Sequence, residues 1–384
     1  MRFLPGLELA ESYYREAVAP ILAAACPELR YAVGLLGSGS DVLGYDTAQS
    51  MDHHWGPRLL LFIAEDDQSK TAAIDATLRE RLPVEIRGVP TNFGPPDEIG
   101  VRLLRPIPSG PVGHMIEIRT IRQFFEGRLG ISPFRPLSNR DWLLLPQQRL
   151  LEVTAGRVFH DDLGVGEIRA RLAWFPEDVW LYLLAAQWKR ISQEEAFVGR
   201  AGDVDDELGS AVIAARLVHD LMRLVFLMER HYAPYTKWVG TAFSHLAAAP
   251  VLEPIFRVIL TSRLWQERER HLSEAYSVIA SRHNELGITE SLPTTVSPYY
   301  GRPYQVIHGE RFSRAIKGRI SDPDLRSLPD IGGIDQMADN TEVLSNPRLF
   351  HKFAGLYYRT EMAPHRQEEG IDDAPPAIIP TSGS

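Results

Sequence analysis

The sequence predicts an α+β fold, in which a small mixed β-sheet domain is followed by a C-terminal helical bundle. Two observations lead to this prediction. Up to about residue 137, short apolar runs with the character of β-strands are interleaved with helical segments. From Ser138 onward strand signals vanish, and apolar residues recur at helical spacing. A length of 384 residues is sufficient for two such domains.

Composition and charge narrow the classes of function. Hydrophobic residues make up 44% of the chain and charged residues 24%, which is ordinary for a soluble globular protein and excludes disorder of the whole chain. The net charge of -9 argues against a broad nucleic-acid surface and favours a small substrate. The single cysteine, Cys26, can form no disulfide within the chain, and no apolar run approaches the ~20 residues that span a bilayer. We therefore expect a soluble cytoplasmic protein with no membrane partner.

The first domain is predicted to alternate helices with strands. Its elements in chain order are a helix at 6–25, strands at 31–37 and 58–64, a helix that ends at Leu82, and strand-like runs at 84–88 and 114–119. Residues 89–113 are rich in proline and glycine, which is typical of a long irregular loop. Such loops either serve as binding loops or run over the surface.

The stretch between the first two strands is the part of the sequence most indicative of chemistry. Gly37, Ser38, Gly39 and Ser40 have small side chains, so the backbone there could approach an anion and cradle a phosphate. A plain tight turn would have the same composition. Thirteen residues separate Ser38 from Asp52, which lies shortly before the second strand. A phosphate and a cation could therefore meet between two strand ends, as phosphoryl or nucleotidyl transfer requires.

This arrangement resembles the nucleotidyltransferase superfamily, which has the DNA polymerase β-like fold. Its motif is a Gly-Ser turn followed, after a short spacer, by an alternating pair of carboxylates on the next strand. Asp52 matches the first carboxylate, whereas His54 stands where the superfamily has Asp or Glu. The chain also resembles one uncharacterised bacterial branch of the superfamily over roughly residues 10–345. The stretches that carry this likeness are 37–46, 188–200, 235–238 and 304–308.

The resemblance implies an enzyme that moves a nucleoside monophosphate to a hydroxyl of a small molecule and releases pyrophosphate. The expected donor is ATP, which would supply AMP. The resemblance further implies that Gly37, Ser38 and Ser40 bind the nucleoside triphosphate and that Asp52 is catalytic.

The resemblance also implies a divalent metal ion, Mg²⁺ or Mn²⁺, held by Asp52, His54 and Glu117. Glu117 takes the place of a third carboxylate on a later strand, and Glu85 is its rival. Alternation along the strand sends Glu117 to the face opposite its isoleucine neighbours, where it either meets solvent or joins Asp52. Because imidazole suits later metals and is tolerated by Mn²⁺, any catalysis should prefer Mn²⁺ or Co²⁺ over Mg²⁺. The alternative is a histidine that caps the strand end and touches no metal.

The second half of the chain is predicted to be helical. Helical segments are expected near 139–155, 177–199, 206–232, 236–247, 251–261 and 264–286. They resemble the helical domains of kanamycin and other aminoglycoside nucleotidyltransferases. The predicted units of the chain are a nucleotidyltransferase-like domain at 1–137, a bundle at 138–290, an irregular extension packed on the core at 291–363 and a disordered tail at 364–384.

Three residues of the bundle are candidates for roles in the chemistry. Glu195 lies on an apolar stripe of its helix, where partial desolvation raises the pKa of a carboxyl group and suits it to act as a general base. A buried salt bridge is the structural alternative, and neighbouring Glu194, on a more polar stripe, is the rival base. Lys237 is the candidate cation for the triphosphate, against an ordinary surface lysine.

Two further functions stay open at this point. His54 interrupts the carboxylate pair, so the protein could be a nucleotide-binding pseudoenzyme that has lost transfer activity. Transfer to a protein or RNA acceptor is a weaker alternative, and the acidic net charge counts against RNA.

Overall fold

The fold is organised around a four-stranded mixed sheet, as seen in a computed structural model that describes residues 3–52, 55–98 and 100–357. The strand order is β5-β2-β1-β6, where β1 pairs antiparallel with both β2 and β6, and β2 pairs parallel with β5. The strands are β1 (Tyr31–Leu35), β2 (Arg58–Ile63), β3 (Glu85–Ile86), β4 (Val89–Pro90), β5 (Met115–Thr120), β6 (Arg157–Asp161), β7 (Ser297–Tyr299) and β8 (Arg302–Val306). Strands β3 with β4, and β7 with β8, form two small antiparallel pairs.

Helices cover the sheet and make up most of the second half of the chain. The helices before β6 are α1 (Gly6–Tyr13), α2 (Ala19–Ala25), α3 (Ser40–Leu43), α4 (Thr71–Arg81), α5 (Ile121–Leu129), α6 (Asn139–Leu144) and α7 (Gln147–Thr154). Those between β6 and β7 are α8 (Val165–Arg171), α9 (Glu177–Glu194), α10 (Phe197–Gly202), α11 (Glu207–Met228), α12 (Thr236–Phe243), α13 (Ala249–Thr261) and α14 (Trp265–Glu285). After β8 come α15 (Gly309–Lys317), α16 (Pro323–Ser327), α17 (Ile334–Met337), α18 (Thr341–Ser345) and α19 (Pro347–Phe350). The α+β class is therefore confirmed.

Strand β6 corrects the expectation that strand signals end at Ser138. It lies beyond the predicted domain boundary at residue 137 and forms an edge of the same sheet. The strand is short, and its pairing with β1 is irregular between Val33 and Gly34. A Cβ atom at Gly34 would lie 2.4 Å from the carbonyl oxygen of Arg157, so the two strands approach more closely there than any other residue would permit.

Other predicted elements differ from the structure at their ends. The helix predicted at 6–25 contains a π-helical stretch at Tyr14–Val18 between α1 and α2. The helix predicted at 139–155 is divided into α6 and α7, because Leu145 is extended ahead of Pro146. The tail predicted to be disordered, 364–384, lies outside the described residues.

Two hydrophobic clusters lie on opposite faces of the sheet. Leu60 and Phe62 belong to the large cluster that runs into the helical part, whereas Leu59 and Leu61 belong to the cluster beneath α1 and α4. Glu117 pairs in register with Leu60, so it faces the helical side. In the described part of the chain, no helix is both long and apolar enough to cross a membrane.

Candidate functional site

A cleft of about 770 Å³ opens between one end of the sheet and the helical part. Its size lies within the range of sites that bury small-molecule ligands. The sheet domain contributes the residues that follow β1 and precede β2, together with the start of β5. The opposite wall comes from the segment before α12 and from residues 335–345.

The turn after β1 is built around glycines that other residues could not replace without strain. Gly37 has φ 100° and Gly39 has φ 145°, backbone conformations that side chains with a Cβ atom rarely adopt. The Gly37 amide donates a hydrogen bond to the carbonyl oxygen of Glu152 at 2.8 Å, which fastens the turn to α7. Ser38 and Ser40 line the cleft beyond this anchor.

A buried ion pair holds the turn from the other side. Asp41, in α3, is only 4% exposed, and its carboxylate accepts two hydrogen bonds from Arg58 at the start of β2. Arg58 Nη2 lies 2.5 Å from Oδ1, and Arg58 Nε lies 3.1 Å from Oδ2. The same Nη2 donates to the carbonyl oxygen of Ser38 at 3.2 Å. Arg58 therefore fixes the turn by a two-point contact and brings a positive charge to the cleft wall.

A second group of charges lies where α5 and α7 meet the turn. Glu152 is 5% exposed, and its Oε2 atom accepts hydrogen bonds from Arg128 Nη1 at 3.0 Å and Arg149 Nη1 at 2.5 Å. The other terminal nitrogen of Arg128, Nη2, lies 3.3 Å from the position that a Cβ atom on Gly37 would occupy. Two guanidinium groups thus share one carboxylate beside the turn, leaving an excess of positive charge there.

The opposite wall is fastened to the start of α7. The amide of Ala233 donates to Gln147 Oε1 at 2.8 Å, and the amide of Tyr235 donates to Gln148 Oε1 at 3.2 Å. These two bonds position the N-terminus of α12, from which Lys237 faces the cleft with its Nζ atom 5.1 Å from the ring centre of Trp238. Within the described ranges, Lys237 has no acidic partner within ion-pair distance.

Trp238 in turn joins this wall to the sheet domain. Its ring centre lies 5.5 Å from that of Tyr45, which follows α3. The cleft is therefore closed on one side by direct contact between its two walls.

The four residues expected to bind nucleotide lie at the cleft. Ser38, Ser40 and Lys237 line it, and Gly37 begins the turn that forms its wall. Glu117, from the expected metal set, also lines the cleft. The Glu117 carboxylate is exposed and forms an ion pair with Arg119.

The other two members of the expected metal set, Asp52 and His54, lie partly or wholly outside the described residues. Asp52 ends a short 3₁₀ helix at Ala48–Asp52, but its side chain lies outside the described residues, as does all of His54. The rival carboxylate Glu85 lies exposed in the hairpin of β3 and β4.

The described residues do not by themselves fit a metal site. Mg²⁺ prefers several oxygen ligands, largely from carboxylates and carbonyl groups. Among the side chains that the structure describes, no group of three or more His, Cys, Asp and Glu residues could hold a metal ion. The two most buried carboxylates of the cleft wall, Asp41 and Glu152, are bonded to arginines.

The structure does not bring the two candidate bases to the cleft. Glu195 is 6% exposed, and its carboxylate accepts hydrogen bonds from the amides of Ile307 at 2.8 Å and Gly309 at 3.2 Å. Burial raises the pKa of Glu195 to about 7, although these amides and the charge of Arg311 act to lower it. Glu194 forms an ion pair with Arg216 at 2.8 Å on the side of the bundle.

Several residues that line the cleft were not predicted from the sequence. Asp41 directly follows the Gly-Ser turn, and this adjacency could have indicated it. Arg128, Arg149 and Glu152 gave no such signal, since they lie on two different helices and meet only through the fold.

A family described as "Domain of unknown function (DUF4037)" matches residues 142–239. No curated protein matches the chain. Among solved structures, the chain is similar to a nucleotidyltransferase-like protein from Exiguobacterium sibiricum 255-15, with 13% sequence identity and a TM-score of 0.32. That match covers 72% of this chain and 77% of the other.

Proposed function

We propose that the cleft binds a nucleoside triphosphate, with ATP as the expected donor, and that the protein transfers the nucleoside monophosphate to a hydroxyl of a small molecule. The observation that carries the proposal is the glycine- and serine-rich turn that opens onto a cleft with arginines on its wall. A backbone that permits close approach, together with fixed cations, is what a polyphosphate requires.

The cations around the turn are held in place before any ligand arrives. Arg58 is bonded to Asp41, and Arg128 is bonded to Glu152, so neither guanidinium group has to be ordered on binding. Lys237 faces them from the other wall. A triphosphate between the two walls could therefore contact Arg58 and Arg128 on one side and Lys237 on the other.

The proposed reaction is a displacement at the α-phosphorus. The acceptor hydroxyl oxygen forms a bond to the α-phosphorus, and the bond from that phosphorus to the bridging oxygen of the β-phosphate breaks. The electron pair of that bond leaves with pyrophosphate, and the hydroxyl proton is released. Dependence on Mg²⁺ or Mn²⁺ through Asp52, His54 and Glu117 stays a prediction from the sequence.

Nucleotide binding without transfer is a second candidate, and one observation favours it. Asp41, Glu117 and Glu152 all line the cleft, yet each forms an ion pair with an arginine. Carboxylates paired in this way contribute less negative charge to a divalent metal ion. A protein built like this could bind nucleotide as a ligand and leave it intact.

Isothermal titration calorimetry with ATP, in the presence and absence of Mg²⁺ or Mn²⁺, tests binding. Incubation with each α-labelled nucleoside triphosphate, a divalent metal and a metabolite extract then tests transfer. Labelled product with release of pyrophosphate supports the enzyme. Binding without labelled product, under every metal and acceptor tried, supports the second candidate.

Arg128→Ala should lower the affinity for ATP by roughly 10- to 100-fold, because a hydrogen bond to a charged group contributes about 1.5–3 kcal/mol. Glu152 keeps Arg149 as a partner in this variant, so the fold should survive. Arg257→Ala is the matched control, since Arg257 is exposed and pairs with Glu253 on its own helix. Equal affinity of both variants for ATP would place the phosphates elsewhere.

A further inference from the structure

Trp55 presents an unusual combination of burial and an unpaired polar atom at the cleft. The residue lies three positions before Arg58, is 3% exposed and lines the cleft. Its indole nitrogen, Nε1, is buried and has no hydrogen-bond acceptor within residues 3–52, 55–98 and 100–357. A buried donor without a partner costs about 1–3 kcal/mol, so the observation calls for a physical explanation.

The ring of Trp55 is packed within an apolar cluster. The ring belongs to the cluster beneath α1 and α4, and it stacks on Phe3 with ring centres 6.0 Å apart. Packing therefore fixes the indole in place while its N–H group stays unbonded.

The position of Trp55 relative to the turn indicates which ligand group it would meet. Arg58, at the start of the strand that Trp55 leads into, is bonded to Asp41 and to the carbonyl oxygen of Ser38. Trp55, Ser38 and Ser40 line one continuous cleft. An anion seated against the turn would thus share the cleft with Trp55.

We propose that Trp55 is a ligand-binding residue, whose indole N–H group donates a hydrogen bond to a phosphate oxygen of the bound nucleotide. The inference rests on the proposed function. An indole N–H group is a donor only and a phosphate oxygen is an acceptor, so the two are complementary without any change of protonation. The ligand would relieve the unpaired donor, and part of its affinity would come from that relief.

The experiment compares wild type with Trp55→Phe, which keeps an aromatic ring but removes the donor. Titrations use ATP and, separately, inorganic tripolyphosphate, which has the phosphates without the nucleoside. Affinity for both ligands should fall by roughly 10- to 100-fold, since the lost bond is to a charged acceptor. The melting temperature of the ligand-free variant should stay within about 2 °C of wild type, because relief of the unpaired donor offsets the lost packing.

Trp188→Phe is the matched control. Trp188 is also buried with an unpaired indole nitrogen, but it packs on Phe312 within the bundle and does not line the cleft. Its substitution should leave the affinity for both ligands unchanged. An independent readout comes from the indole ¹⁵N–¹H NMR signals of the seven tryptophans. The signal that is missing in Trp55→Phe is assigned to Trp55. This signal should shift when tripolyphosphate is added to wild type.

The remaining outcomes overturn the inference in distinguishable ways. Unchanged affinity of Trp55→Phe, or an unmoved indole signal, shows that Trp55 does not contact the ligand although nucleotide binding stands. Loss of affinity for ATP alone places the donor against the nucleoside and overturns the phosphate assignment. A wild-type protein that binds neither ATP nor tripolyphosphate overturns the proposed function as well.

Discussion

Gly37 shows how a single backbone position can set the shape of an anion site. Its φ of 100° suits glycine, and a Cβ atom there would lie 3.3 Å from Arg128 Nη2. Gly37→Ala should therefore displace the guanidinium group and lower the affinity for ATP by roughly 10-fold or more. Backbone strain should also lower the free energy of unfolding by about 1 kcal/mol.

Gly44→Ala is the control that separates the effect of backbone strain from the effect of displacing the Arg128 guanidinium group. Gly44 has φ 75°, and a Cβ atom there would meet nothing within 4 Å. Gly37→Ala should lose at least as much stability as Gly44→Ala in urea denaturation, and only Gly37→Ala should lose affinity in calorimetry. An equal loss of affinity in both variants would contradict the role given to Arg128.

Glu195 makes the stability of the protein depend on pH. Its pKa rises from 4.5 to about 7 on folding, so between these values the folded state binds the proton more tightly than the unfolded state. Its contribution to stability is therefore fully present below about pH 4.5 and is lost as the pH rises through about 7. Relative to Glu195→Gln, the free energy of unfolding of wild type should fall by about 2 to 3 kcal/mol from about pH 5 to about pH 8.

Urea denaturation at several pH values measures this difference. Glu194→Gln is the control, because Glu194 lies next in sequence and pairs with Arg216 instead. If wild type and Glu195→Gln keep a constant difference in unfolding free energy across this range, the carboxyl group does not titrate differently in the folded state.

For single residues, the sequence could indicate the local environment of a side chain but not its hydrogen-bond or ion-pair partners. The apolar stripe correctly indicated that Glu195 is desolvated, yet its hydrogen-bond donors lie 112 and 114 positions away along the chain. The Gly-Ser turn was visible as a local pattern. The arginines that surround it depend on how α5 and α7 pack, which no local pattern specifies.

Among the elements, β6 owes its place in the sheet to one glycine of its neighbour. A Cβ atom at Gly34 would clash with the carbonyl oxygen of Arg157 at 2.4 Å, so Gly34→Ala should force β1 and β6 apart. Overpacking of this kind costs about 1–3 kcal/mol, measured as a lower free energy of unfolding in urea. Gly127→Ala in α5 is the control, since a Cβ atom at Gly127 would meet nothing within 4 Å. This substitution should raise the stability of the helix by about 0.5–1 kcal/mol.

Long elements were easier to predict than short ones for a physical reason. Helices α9, α11 and α14 each show several turns of apolar periodicity, so the sequence placed them within a few residues of their observed bounds. Strand β6 has five residues and lies between helices, too short to establish a period of two against helical neighbours. Its strand conformation depends on pairing with β1.

For the molecule as a whole, the cleft joins stretches that are far apart in the sequence. The turn at Gly37, Glu152 on α7, Lys237 on α12 and Ser345 at the end of α18 all belong to its walls or supports. A ligand that contacts several of them stabilises the folded state relative to the unfolded state.

ATP should therefore raise the melting temperature of wild type. At a concentration about 100 times the dissociation constant, binding contributes about 2.7 kcal/mol to stability. Arg128→Ala at the same ATP concentration should show a smaller rise, and Arg257→Ala the same rise as wild type. Differential scanning calorimetry measures all three, and equal rises in the three proteins would argue against the cleft as the binding site.

The pairing of β6 with β1 also has a consequence for the newly made chain. Tyr31–Leu35 leaves the ribosome long before Arg157–Asp161, so this edge of the sheet stays open while more than a hundred further residues are synthesised. An open strand edge can pair with another nascent chain. Completion of the sheet therefore waits until residue 161 has been synthesised, and up to that point the open edge of β1 is a place where two nascent chains could pair.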